Sequence, residues 1–337
     1  MRDVILNLQY GKNLSSSQAE DVLTTILSGQ ASEQDIEQFL STYELKKYHW
    51  KELLGFILAL KKSCLSIKNP GKYSLIDVCG TGGSGKDRFN ISTVATFVLT
   101  AANLYVAKHG NYGSKRPNGS FNFLEEMNIP FQFNINGISH LLEHARCCFL
   151  FARYFHPGMR FVVNARKAIG KATVFNYLGP LVNPFEIDYQ VVGLSSFEHI
   201  DILTDVVKAL NRKHVLFCLG GDGRDEVSLS GKTQFVSIKD NKVNEFEFDF
   251  SKEIESVSDD YECGDSNQNA LLFTHLCIEE NWDHPVIKHI CINSAAAMVC
   301  SGNVESLIEG YEKSLNLFQS NDVVKSINRY KEVASLI

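Results

Sequence analysis

Apolar residues recur at helical spacing from the start of the chain to about residue 70. Ser15-Ser16-Ser17 precede a stripe of Ala19, Val22, Leu23, Ile26 and Leu27. Ser32, followed by Glu33 and Asp35, opens a second helix through Phe39 and Leu40, and Leu53, Leu54, Phe56, Ile57 and Leu60 mark a third. Asn69-Pro70-Gly71 breaks this pattern. Beyond it, short apolar runs alternate with helical stretches. The predicted strands are Ser74–Val78, Leu104–Ala107, Cys147–Phe151, His214–Leu219, Lys232–Ile238 and Lys242–Phe250. The predicted helices include Val94–Ala102, Ser120–Met127, Gly158–Ala168 and Ser294–Cys300. Alternation of this kind implies an α/β fold with a mostly parallel central sheet flanked by helices. We therefore expect a small all-α domain over residues 1–70 and a large α/β domain over 71–337.

Composition narrows the class. The 337 residues carry a net charge of -6, which disfavours a general nucleic-acid binder. The nine cysteines include Cys147-Cys148 but no CxxC pair, a pattern of reduced thiols rather than a disulfide framework. The opening MRDVILNLQYGKNL has no secretory pattern, and no apolar run is long enough for a bilayer, so a cytoplasmic location is expected.

Three segments that carry chemistry follow predicted strands, where open α/β sheets bind ligands. DVCGTGGSGKDRFNIST clusters Gly80, Gly82, Gly83 and Gly85 ahead of a helix. Backbone N–H groups and a helix N-terminus there suit phosphate, although the spacing matches neither the dinucleotide fingerprint nor the P-loop, and a flexible loop is the plain alternative. NIST is equally good N-cap material. KHGN (Lys108 to Asn111) has the composition of a ligand rim. Asp225-Glu226, after Gly220-Gly221-Asp222-Gly223, could serve Mg²⁺ or form a solvated acidic turn. Arg166 is either a surface charge or a carboxylate clamp. The sequence has no nucleophile elbow, HExxH or zinc spacing. This inventory suits positioning and charge stabilisation of a phosphorylated substrate.

In this order the segments resemble the anthranilate phosphoribosyltransferases, within the nucleoside-phosphorylase-like transferase family. The resemblance runs from about Ile76 to Gly302 and rests on Cys79–Gly83, Phe89–Thr93, Val106–Asn111, Gly119-Ser120, His156–Met159, Arg166–Pro184, Asp222–Ser228 and Asn293–Ala297. It implies transfer of phosphoribosyl from phosphoribosyl pyrophosphate to the anthranilate amine, with Mg²⁺, in tryptophan biosynthesis. It also implies a homodimer formed through the helical domain. By resemblance, phosphoribosyl pyrophosphate meets Gly80, Gly83, Ser84, Arg88, Asn90, Ser92, Thr93, Lys108 and Ser120. Anthranilate meets Gly80, His109, Asn111 and Arg166, and Mg²⁺ meets Ser92, Asp225 and Glu226. Lys108, His109 and Arg166 are the implied catalytic group.

The chain departs from the family on the phosphate side. Ser84 stands where the family has Asp, Arg88 where it has Thr, and 112–118 (YGSKRPN) where it has a Ser-rich loop. Val163-Asn164-Ala165 replaces a Pro-containing run. Two other readings follow. One is a family-fold protein acting on another aromatic acceptor. The other binds nucleic acid through Lys86, Arg88, Lys115 and Arg116, against the acidic net charge.

Overall fold

The structure, a computed structural model, describes residues 1–82, 89–113, 117–255, 257, 261 and 263–337. Two compact units emerge. The first comprises 1–66, 152–184 and 197–211; the second comprises 67–151, 185–196 and 212–337. The expected helical domain ended at residue 70, so it captures the first segment of the helical unit but not its two later ones. The α/β class expected from the alternating pattern is the one observed.

In the helical unit the predicted stripes become the helices Ser16–Leu27, Glu33–Tyr43 and Trp50–Ser63, preceded by the unpredicted Arg2–Gln9. Ser15 and Gln18 form a capping box, and Ser32 accepts from the Asp35 amide at 3.1 Å. Leu23, Ile26, Phe39, Leu53, Phe56 and Ile57 are buried between these helices. The buried Glu52 carboxylate accepts from the Leu14 amide (2.7 Å), the Tyr43 hydroxyl (3.2 Å) and Lys46 (2.7 Å). The helix expected over Gly158–Ala168 is split into a 3-10 turn, Pro157–Val162, and an α-helix, Val163–Ile169.

The second unit is built on one sheet. Among the described residues its strands are β1 (Leu75–Gly80), β2 (Tyr105–Gly110), β3 (Cys147–Phe151), β4 (Tyr189–Gly193), β5 (His214–Gly220), β6 (Lys232–Lys239) and β7 (Lys242–Asp249). Their order is β3-β2-β1-β4-β5-β6-β7, with β1 to β5 parallel and β6 and β7 antiparallel. Asp240 and Asn241, both at positive φ, make the β6–β7 turn. Strand β4 is absent from the sequence expectation. Its apolar run is broken by Gln190, which is fully buried because its amide donates to Asp77 (3.0 Å) and accepts from Arg212.

The helix expected at Ser294–Cys300 is the second half of Pro285–Ser301, which packs on β4, β5 and the helix Ile91–Ala101. None of the cysteines is in a disulfide. Burial pushes the Cys147 thiol up to about 12. Among the described residues, no helix is long and apolar enough to cross a membrane.

Candidate active site

The carboxyl ends of β1, β2 and β5 carry most of the predicted residues. Strand β2 is longer than its sequence pattern implied, so Lys108, His109 and Gly110 lie within it, paired with Phe149, Leu150 and Phe151 of β3. This register buries Lys108, which is 2% exposed. Its ammonium donates to the Val78 carbonyl (2.7 Å) and the Ser92 hydroxyl (3.1 Å), tying β1 to the first turn of the helix Ile91–Ala101. Burial lowers the Lys108 pKa, while the charges of Asp77, Cys79 and Glu226 oppose that shift. The His109 amide donates to Asp77 (3.2 Å), and the imidazole is buried.

Glycine serves a specific purpose at the end of β1. Gly80 pairs with Gly193 of β4. A Cβ on Gly80 would lie 2.3 Å from Asp225 Oδ2, and one on Gly193 would lie 1.7 Å from the Asp225 carbonyl oxygen. The two glycines therefore form a notch, two strands wide, in which Asp225 sits at 4% exposure. Gly82, at φ 68°, donates its amide to Asp225 Oδ2 at 2.7 Å. The predicted Gly83, Ser84 and Arg88 lie outside the described residues, as do Lys86, Lys115 and Arg116.

The acidic pair is thus not a solvated turn. Asn293 accepts from the Val227 amide (2.9 Å) and donates to its carbonyl (3.1 Å), gripping the residue after Glu226. His289 Nε2 is 2.7 Å from the same carbonyl and 3.9 Å from Glu226 Oε2. Among the described residues, no group of three or more His, Cys, Asp or Glu forms a metal cluster. Two adjacent carboxylates still fit Mg²⁺, which takes one or two carboxylates and keeps waters and substrate phosphates.

The helix Ile91–Ala101 begins at Asn90, whose side chain does not cap it. Thr93 is buried within its first turn. Ser120 Oγ donates to the Asn111 carbonyl at 3.2 Å, and Asn111 is exposed at the end of β2. Asn122 accepts from the Gly113 amide (2.9 Å) and the Gly119 amide (3.1 Å), pinning both flanks of 114–116.

Arg166 belongs to the helical unit, on the helix Val163–Ile169. It is half-buried rather than a surface charge, with its guanidinium over Phe175 and 3.4 Å from Asn176 Oδ1. Burial lowers its pKa against the pull of Glu44. Its hydrogen-bond partner is a neutral amide, which leaves the guanidinium's charge suited to an incoming carboxylate. Asp77, Asn122, Asn269, His289 and Gln190 were not singled out in the sequence. Their signal is three-dimensional, because each is a buried or capping amide, carboxylate or imidazole without motif spacing of its own.

Known proteins resemble this chain over nearly its whole length. Residues 72–322 match the family model for the glycosyl transferase family, a/b domain. The chain is 33% identical to an anthranilate phosphoribosyltransferase of Priestia megaterium, over 98% of this chain and 97% of that one. It is 30% identical to the Streptococcus mutans enzyme of that name, over 98% and 99%. The anthranilate phosphoribosyltransferase structure from Thermus thermophilus superposes with a TM-score of 0.89 at 26% identity, covering 99% of both chains. A Saccharomyces cerevisiae anthranilate phosphoribosyltransferase solved with PRPP and Mg shares the fold at 23% identity, with a TM-score of 0.89 over 100% of this chain and 99% of that one. The glycine notch, the buried lysine and the acidic pair thus stand on a chain that belongs to the anthranilate phosphoribosyltransferase family.

Proposed function

We propose that this chain transfers the phosphoribosyl group of phosphoribosyl pyrophosphate to the amine of anthranilate, with release of pyrophosphate, in tryptophan biosynthesis. The observation that carries this reading is the convergence of Lys108, Ser92 and the Gly80–Asp225 notch at the carboxyl edge of one sheet. Buried positive charge beside an uncapped helix N-terminus favours the negative charge that builds on departing pyrophosphate. The sugar C1′ gains positive character as that bond breaks, so the acceptor amine needs orientation more than deprotonation.

Lys108 stabilises the leaving group, and Gly80, Asn90, Thr93 and Ser120 shape the phosphoribosyl side. By the family resemblance, Arg166 takes the anthranilate carboxylate, and His109 and Asn111 are assigned to the acceptor. Ser92, Asp225 and Glu226 would hold Mg²⁺ with the pyrophosphate. Bound there, the cation neutralises pyrophosphate charge and acts as a Lewis acid. Two charged, water-soluble substrates accord with a cytoplasmic enzyme, and the family resemblance favours a homodimer through the helical unit.

The direct test is loss of anthranilate fluorescence on mixing the purified chain with phosphoribosyl pyrophosphate and Mg²⁺. Arg166→Ala should raise the anthranilate KM by about tenfold or more, with a much smaller change for phosphoribosyl pyrophosphate. Absence of turnover refutes the reaction. Equal losses for both substrates refute the role of Arg166.

A further inference from the structure

Among the described residues, three asparagines stand at helix N-termini in the sheet unit; Asn134 caps its helix and Asn90 and Asn321 do not, Asn321 because its backbone is left-handed at φ 61°. Asn134, extended at φ -70° and ψ 173°, accepts from the Gly137 amide at 2.9 Å and caps its helix. Asn90, at φ -82° and ψ 57°, gives its helix no side-chain cap. The ordinary preference of an N-terminal asparagine is to turn its oxygen onto the first-turn amides. In Asn90 that oxygen instead accepts from Asn269 Nδ2 at 3.2 Å, and its own Nδ2 donates to the Asn118 carbonyl at 3.4 Å.

Asn269 is fully buried, on the helix Ser266–Ile278. Its amide group donates to Asn90 Oδ1 and to Asn118 Oδ1 (3.2 Å each) and accepts from the Gly264 amide (3.1 Å). Asn118 Nδ2 returns a bond to the Gly264 carbonyl at 3.0 Å. Only a carboxamide supplies two donors and an acceptor at this point. An aspartate would face two oxygens with a third.

We infer that Asn269 is a positioning residue that holds Asn90 away from the Ile91–Ala101 helix, keeping that helix end open for the phosphates of phosphoribosyl pyrophosphate. The inference rests on the phosphoribosyl pyrophosphate reading above. The Thr93 amide already donates to the Asn90 carbonyl at 3.0 Å, so a recapped Asn90 would compete with the oxyanion for the Ser92 amide. Asn269 removes that competitor before substrate arrives, and it ties the same asparagine to the Pro117–Gly119 flank.

The test is calorimetric binding of phosphoribosyl pyrophosphate in Mg²⁺ buffer, with the anthranilate KM measured alongside. Asn269→Ala should weaken phosphoribosyl pyrophosphate about tenfold, equivalent to about 1.4 kcal/mol, and change the anthranilate KM less than about twofold. In an Asn90→Gly background, where no side chain can recap the helix, the same change should cost less than about threefold. Asn269→Ser, which keeps one donor, should show a smaller but equally selective loss if the alanine variant does not fold.

Equal costs in both backgrounds, equal losses for the two substrates, or unchanged affinity in Asn269→Ala would overturn the inference. So would failure of both Asn269 variants to fold, which assigns the residue to the core. A wild-type chain that binds no phosphoribosyl pyrophosphate overturns the reading of the site, and this inference with it.

Discussion

The two ends of the same sheet are built from different materials. At the amino ends, Asp188 accepts from the Leu75 amide (3.0 Å) and pairs with Lys213 (2.9 Å). His214 bridges the Cys300 carbonyl and Ser237 Oγ (2.8 Å each), and Tyr73 stacks on Tyr105 with centroids 3.9 Å apart. At the carboxyl ends stand a buried lysine on neutral oxygens, a carboxylate seated on glycines, and a helix end without a side-chain cap. The amino end is organised to hold strands together. The carboxyl end keeps charges out of water, which costs stability and makes them available to a charged ligand. Substitutions at the two ends should therefore separate activity from stability.

The largest effect is expected at Lys108. Lys108→Met should lower kcat by about 10²- to 10³-fold, as loss of a preorganised charge does, and leave the Tm unchanged or higher. A large fall in Tm with normal turnover per folded molecule would erase the distinction. Next comes Glu226→Gln, which should reduce turnover on the order of tens of fold and raise the Mg²⁺ concentration needed for half-maximal rate. An unchanged Mg²⁺ dependence removes Glu226 from the metal site.

His214→Ala should behave oppositely, losing about 1–3 kcal/mol in denaturant unfolding while the kcat of the folded enzyme stays unchanged. Burial lowers the His214 pKa below its ordinary value of 6.5, with the Cys300 carbonyl opposing. The unfolded chain then binds more protons than the folded one just below pH 6.5. Stability should fall as pH drops through that window, and the fall should be shallower in the variant. The smallest effect belongs to Lys213→Ala, because Lys213 is 56% exposed and its pair with Asp188 is screened. A loss of no more than about 1 kcal/mol is expected, diminishing in high salt.

The fold was legible wherever a segment's own side chains decide its environment. Cys147–Phe151 is continuously apolar and forms β3 with the boundaries expected. Lys242–Phe250 alternates and forms β7, one residue shorter. Gln190 hid β4 because only a distant carboxylate and guanidinium make its burial tolerable. In the site, the motif residues Lys108, Ser92, Gly80, Gly82 and Asp225 stood out by chemistry, but the more distant partners Gly193 and Asn269 did not. Nothing local in Ser266–Ile278 distinguishes Asn269 from its neighbour Asn267, which instead meets Glu126. The tripartite helical unit was hidden for a similar reason, since 152–184 and 197–211 interrupt the sheet's own sequence and join the first helices only after folding.

The glycine notch also links two steps of assembly. It comes into being when Gly80 and Gly193 are brought side by side by parallel pairing of two strands far apart in the chain. The seat of Asp225 is complete only when β1 and β4 are paired, so docking of the acidic loop there depends on that pairing. Such non-local parallel pairing is slow. During refolding from denaturant, recovery of the far-ultraviolet signal should therefore run ahead of recovery of catalysis. A side chain at either glycine should displace Asp225 from its seat.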